Sequence, residues 1–177
     1  MTSEEFLKWP DTQAEGRFEL VDGKIVAMAP ERLAHTRAKL AVWRAFSIAI
    51  EKAGLPCEAF GDGPAVVTGR HKTRVPDASV QCSRVDDPNS LALDRPLIVV
   101  EILLPTNWRD DFGIKVEEYF SVATIRHYVI VDDEQRTVLH HRRSDAGAIQ
   151  SETYRDGCIE FDPPGFKVAV ENLFGPR

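Results

Sequence analysis

The 177-residue chain has little sulfur and no long apolar run. It carries three cysteines and two methionines. Cys57, Cys82 and Cys158 are odd in number and widely spaced, which fits neither a zinc pattern nor a disulfide framework. That usage leads us to expect a reducing, cytoplasmic setting. No stretch approaches the roughly 20 apolar residues of a membrane span, so no membrane partner is expected. The opening Met1-Thr2-Ser3-Glu4-Glu5 does not read as a signal peptide. Basic residues are not in excess: 22 Lys and Arg face 28 Asp and Glu, for a net charge of −6. Such a balance argues against a non-specific nucleic-acid binder, which shows a basic surface. Repeats and low-complexity tracts are also absent.

What remains is ordinary globular composition, 43% hydrophobic and 28% charged, enough for one sizeable core. A single domain over 1–177 is the natural expectation. Local charge departs from the acidic mean. Arg70, His71, Lys72 and Arg74 cluster just ahead of Asp77, and His140, His141, Arg142 and Arg143 form a second basic group. Either could meet phosphates, or simply solvate a loop and a strand edge.

Thr2 or Ser3 can cap a short helix to about Trp9, ended by Pro10 and Asp11. Asp22-Gly23 between two β-prone runs predicts a hairpin. Pro30 opens a long helix over 31–53, closed by Gly54, with a stripe of Ala38, Val42, Ala45 and Ala49. Strands are expected over 57–68 and 73–81, joined by the basic turn, followed by a polar loop over 83–94. A buried strand covers 97–104, a loop carries Trp108 and Arg109, and a helix covers 110–122 with a stripe of Phe112, Val116, Tyr119 and Phe120. A buried strand at 127–131 leads into strands over 137–142, 148–154 and 158–161 and a helical turn over 170–174. This order predicts an α/β (α+β) domain with one mixed sheet flanked by helices, an N-terminal hairpin and a C-terminal β meander.

Glu101 stands out within this pattern. It interrupts Leu97-Ile98-Val99-Val100-Glu101-Ile102-Leu103-Leu104, a run bounded by Pro96 and Pro105 that reads as a strand buried on both faces. A carboxylate there costs several kcal/mol of desolvation unless paired or bound to a cation. Upstream, Val75-Pro76-Asp77 brings a second carboxylate to a β-like stretch. Two carboxylates from neighbouring strands can share a divalent cation. A structural ion pair, or a strand-end Glu near water, is the plainer alternative.

Several segments in order resemble one family. They are Phe18-Glu19-Leu20-Val21-Asp22-Gly23-Lys24-Ile25-Val26-Ala27-Met28-Ala29-Pro30 with His35, then Val75-Pro76-Asp77, then 96–103, then Asp110-Asp111 with Lys115 and Tyr119, then His127-Tyr128-Val129-Ile130-Val131-Asp132. The set is similar to the Uma-type restriction-endonuclease family of the PD-(D/E)XK nuclease superfamily. The resemblance implies a restriction-endonuclease-like core. It implies an endonuclease hydrolysing DNA phosphodiesters, with Asp77 and Glu101 as the motif acids and Mg²⁺ or Mn²⁺ as cofactor. The carbonyl of Ile102 would complete a hard-oxygen donor set.

Leu103 stands where the superfamily's acid-X-lysine has its lysine. Lys115 is the substitute the family pattern offers, as a third catalytic residue. Its alternative is a surface lysine paired with Asp111 at i−4. Leu104 and Val122-Ala123-Thr124-Ile125 also depart from the family pattern. Glu19 and His35 are possible supporting residues, and Arg70, Lys72 and Arg74 possible phosphate contacts. A homodimer would suit the two strands of a duplex. The alternatives are a catalytically weak nuclease-fold binding or regulatory module, and a metal-dependent hydrolase of another phosphoester.

Overall fold

In the computed structural model, residues 1–9, 16–85, 87–103 and 112–176 are described. Helix α1 (Ser3–Leu7) starts on a reciprocal cap. The Thr2 hydroxyl accepts from the Glu5 N–H at 3.2 Å, and the Glu5 carboxylate accepts from the Thr2 N–H at 2.7 Å. Strands β1 (Phe18–Val21) and β2 (Lys24–Ala27) form the expected hairpin. Its two turn residues, Asp22 and Gly23, take φ of 48° and 78°, the left-handed conformations that Asp and Gly tolerate best. Helix α2 (Leu33–Ala53) ends on Gly54 at φ 63°, where a Cβ would be strained.

The chain then runs β3 (Glu58–Gly61), β4 (Ala65–Gly69), β5 (Lys72–Arg74), β6 (Ala78–Gln81), β7 (Ala92–Leu93) and β8 (Pro96–Ile102). Helix α3 (Ile114–Ser121) leads into β9 (His127–Asp132), β10 (Thr137–Arg143), β11 (Ile149–Tyr154), β12 (Cys158–Phe161) and β13 (Phe166–Ala169). A 3₁₀ turn (Val170–Leu173) follows. The two long strands expected over 57–68 and 73–81 each break in two, and the halves belong to different sheets. One sheet is five-stranded, ordered β2-β1-β5-β4-β7. The other is six-stranded, ordered β11-β10-β9-β8-β6-β3, with β8 and β9 parallel and the other pairs antiparallel. Gly61, Gly63 and Pro64 mark the first break; Val75-Pro76 marks the second, because Pro76 has no N–H for a ladder. Asp77 therefore sits where the chain crosses from one sheet to the other. The meander β9-β10-β11 completes the larger sheet, while β12 and β13 form a separate hairpin. The fold is mixed α+β.

Apolar clusters cover both faces of the six-stranded sheet. On one, Ala38, Val42, Phe46 and Ile50 of α2 pack on Val80, Ile98, Val100 and Ile102, closed by Phe161 and Phe166. On the other, Tyr119 of α3 packs with Val99, Tyr128 and Ile130. Strand β8 is thus buried on both faces, as its continuous apolar run implies. Helix α3 turns most of its expected stripe inward: Tyr119 is buried and Val116 and Phe120 pack against the same cluster. Phe112, ahead of the helix, is 46% exposed, and Lys115 and Glu118 are buried beside the stripe. The inward face carries charge because each of those groups meets a partner.

One reading of the cysteines is corrected. Cys57 and Cys82 form a disulfide. The β3–β6 ladder pairs Glu58 with Gln81, so one further step brings the two sulfurs together across the ladder. The cysteine pattern therefore gives no ground for a reducing compartment. Cys158 is free and exposed. No helix among the described residues is long and apolar enough to cross a membrane. Pro10, Asp11, Leu104, Pro105, Trp108, Arg109, Asp110 and Asp111, named above, lie outside the described residues.

Candidate active site

Asp77 and Glu101 are brought together by the β6–β8 ladder. Ala78 pairs with Val100, and the Asp77 N–H donates to the Val100 carbonyl at 3.0 Å. One more step in that register sets Asp77 opposite Glu101. Both side chains are about 95% buried. They are held from two directions.

Asp77 faces α2. Its Oδ1 lies 2.9 Å from Lys39 Nζ and 3.3 Å from His35 Nε2. Its Oδ2 accepts from the Ile102 N–H at 2.6 Å. Burial pushes the Asp77 carboxyl up, but the His35 hydrogen bond, the Lys39 charge and the Ile102 N–H together hold it below the ordinary carboxylate range. Ile102 thus meets Asp77 through its N–H, whereas the sequence argument concerned its carbonyl.

Glu101 faces α3. Its Oε1 accepts from the Tyr119 hydroxyl at 2.5 Å and lies 3.0 Å from Lys115 Nζ. Lys115 is only 8% exposed, one helical turn before Tyr119. Burial in company with Glu101 drives the Tyr119 hydroxyl well above its usual value, so it remains a proton donor.

Glu19 reaches the same region from β1. Its Oε1 accepts from the Val75 N–H at 3.0 Å and its Oε2 from Arg74 Nη1 at 2.9 Å. Arg74 is buried and also donates through Nε to Glu118 at 2.6 Å. Lys72 Nζ lies 3.0 Å from Glu118 and 3.2 Å from Asp22. Arg74 can meet a phosphate only by giving up two carboxylates, so its geometry ties the β1 hairpin to α3. Arg70 is exposed in the β4–β5 turn.

Three residues here carry no signal in the sequence reading: Lys39, Glu31 and Asp62. Lys39 lies one turn after His35 and is 5% exposed. Its ammonium contacts Glu31, and lies 2.6 Å from Asp62. Arg17 bridges the same two acids. The i, i+4 spacing of His35 and Lys39, beside the buried Ala38 and Val42, is the one local hint of this arrangement.

The donor chemistry suits a divalent cation. Glu31, His35 and Asp77 offer ligand atoms within 4.8 Å of one another, and carboxylate oxygens are the ligands that Mg²⁺ and Mn²⁺ favour. Lys39 and Lys115 place ammonium groups against Asp77 and Glu101, where positive charge is needed. A groove between α2 and the C-terminal hairpin, lined by Leu40, Arg44, Ile48, Val168 and Phe174, contains none of these acids.

A mixed sheet flanked by helices in this arrangement has a known counterpart. A solved structure from Anabaena variabilis, described as a "putative nuclease", superimposes with a TM-score of 0.73 at 22% identity, covering 98% of this chain and 97% of that one. The architecture is therefore that of a nuclease-like fold. An uncharacterized protein of Synechocystis sp. is 24% identical over 176 residues, covering 98% of this chain and 91% of that protein. Residues 3–171 match the Uma2 family, described as "Putative restriction endonuclease", and the chain belongs to that family.

Proposed function

We propose that this protein is a Mg²⁺- or Mn²⁺-dependent endonuclease that hydrolyses DNA phosphodiester bonds. The observation that carries the reading is the β6–β8 register, which sets Asp77 opposite Glu101, both buried and each facing a lysine. Membership of a family described as restriction endonucleases supports it. Asp77 and Glu101 would hold the cation, with the Ile102 carbonyl as a third oxygen and His35 at its flank. The ion, when bound, acidifies water and offsets negative charge on the phosphodiester.

The chain's own residues supply the rest. The Ile102 N–H fixes one oxygen of Asp77, and Tyr119 fixes one oxygen of Glu101, so both carboxylates are oriented before any ligand arrives. Lys115 Nζ, 3.0 Å from Glu101, is the group that would steady a phosphate oxygen as charge develops there. Packing of Tyr128, Ile130 and Val99 beneath the site limits competing water. Glu19 and Arg74 position the β1 hairpin against α3. Arg70, and Lys72 through its exposed third, are the groups available to a phosphate backbone. A homodimer would give one site per strand of a duplex.

A second reading, a nuclease-fold binding module with little turnover, draws on one observation. Both acids already have ammonium partners without any ion. Calorimetric titration with Mn²⁺ separates the two. The catalytic reading expects saturable binding in the wild type that is lost in Asp77→Asn and weakened in Glu101→Gln. Equal heats in all three would remove the site.

A further inference from the structure

We propose that Lys39 is an internal competitor for the cation position on Asp77 and sets how tightly a divalent ion binds there. The inference rests on reading Asp77 as a metal ligand. Lys39 closes the first third of α2, and its side chain is 6% exposed. The ammonium is surrounded by three carboxylates from three parts of the chain: Glu31 just before α2, Asp62 between β3 and β4, and Asp77 at the sheet crossover. An ammonium at 2.9 Å and a divalent ion cannot share the same Asp77 oxygen, because at such separations like charges repel by several kcal/mol even in a moderately polar interior.

The arrangement also gives Lys39 somewhere to stay. If it leaves Asp77, Glu31 and Asp62 still hold it, and Arg17 continues to bridge that pair from the other side. The exchange therefore gives up one contact and strands no buried charge. Asp77 keeps its aim meanwhile, because its second oxygen remains on the Ile102 N–H. Lys39 thus neutralises Asp77 in the ion-free protein and withdraws by a short side-chain swing when an ion enters. The effect is a weaker, more readily reversed site than the carboxylates would make alone.

Two measurements on the full chain test this. In Mn²⁺ titrations, Lys39→Met should bind about tenfold or more tightly than the wild type, at the same pH and salt. In Mn²⁺-soaked wild-type crystals, the anomalous peak should touch Asp77, with Lys39 Nζ moved away from Oδ1 and still on Glu31 and Asp62. Should Lys39→Met fail to fold with three unbalanced acids, Lys39→Met with Asp62→Asn restores the balance and should still bind more tightly than Asp62→Asn alone. Equal or weaker binding on removing Lys39, or Mn²⁺ on Asp77 with Lys39 unmoved, overturns the competition while leaving Asp77 a ligand. No Mn²⁺ at Asp77 in any of these proteins overturns the metal reading itself and the competition with it.

Discussion

Replacing Lys115 with alanine separates a buried site lysine from a surface one by an order of magnitude in free energy. A lysine paired with Asp111 on the helix surface would be worth about 0.3–0.5 kcal/mol. The structure instead buries Lys115 against Glu101, both less than a tenth exposed. Removing one partner of a buried pair leaves a desolvated charge and typically costs about 3–5 kcal/mol. Tyr119 continues to donate to Glu101, which places the expected loss toward the lower end, about 3 kcal/mol. For a chain of this size that corresponds to a fall in Tm of roughly 6–12 °C. Urea unfolding followed by far-UV circular dichroism measures it. The double variant Lys115→Met with Glu101→Gln removes both charges and should recover most of the loss. A loss below about 0.5 kcal/mol in Lys115→Ala would refute the buried pairing and return the lysine to the surface.

Other outcomes follow from particular contacts. His127 and His140 share a 2.8 Å hydrogen bond, and burial pushes them down to about 4 and about 3 respectively. Because their folded-state values lie below the ordinary 6.5, their contribution is complete above about pH 6.5. It is lost as pH falls toward 4 and then 3, at about 1.4 kcal/mol per pH unit for each. Unfolding free energies at pH 7 and 5 should show this slope, and His140→Gln should make it shallower. Reduction of Cys57–Cys82, which closes a separation of 25 residues, should lower stability by about 3.5 kcal/mol at most, read as a shift in the urea midpoint with and without reductant. Arg74→Met should destabilise by about 3 kcal/mol or more, because Glu19 and Glu118 lose a shared buried partner. Arg70→Ala should leave stability within about 0.5 kcal/mol and weaken DNA binding, with a salt slope lower by about 1.

The acids were legible in the sequence because their chemistry clashes with their surroundings. A glutamate inside an eight-residue apolar run, and an aspartate after Val-Pro, need no tertiary information to attract notice. The β1–β2 turn and the Gly54 cap were legible because φ above zero selects Asp and Gly. Lys39, Glu31 and Asp62 were not, because their partners come from segments 8 to 38 residues apart that only the folded sheets bring together. The burial of Lys115 and Glu118 beside the apolar stripe of α3 was not legible for a related reason. Periodicity counts apolar residues, and Lys115 and Glu118 are buried as halves of ion pairs. The strand breaks carry a local signal, since Gly61-Asp62-Gly63-Pro64 and Pro76 are poor strand formers, but the pairing of the halves into different sheets is a tertiary event. The disulfide depends on the β3–β6 register, which spacing alone does not give.

A metal-dependent nuclease centred on Asp77 and Glu101 should cleave supercoiled plasmid, assayed with the purified chain in Mg²⁺, in Mn²⁺ and in excess chelator, beside Asp77→Asn prepared identically. Nicking is expected in either metal, abolished by chelator and by Asp77→Asn, and reduced about 10²–10³-fold in Lys115→Ala. Nicking of equal rate in Asp77→Asn, or none by the wild type in either metal, would contradict that reading.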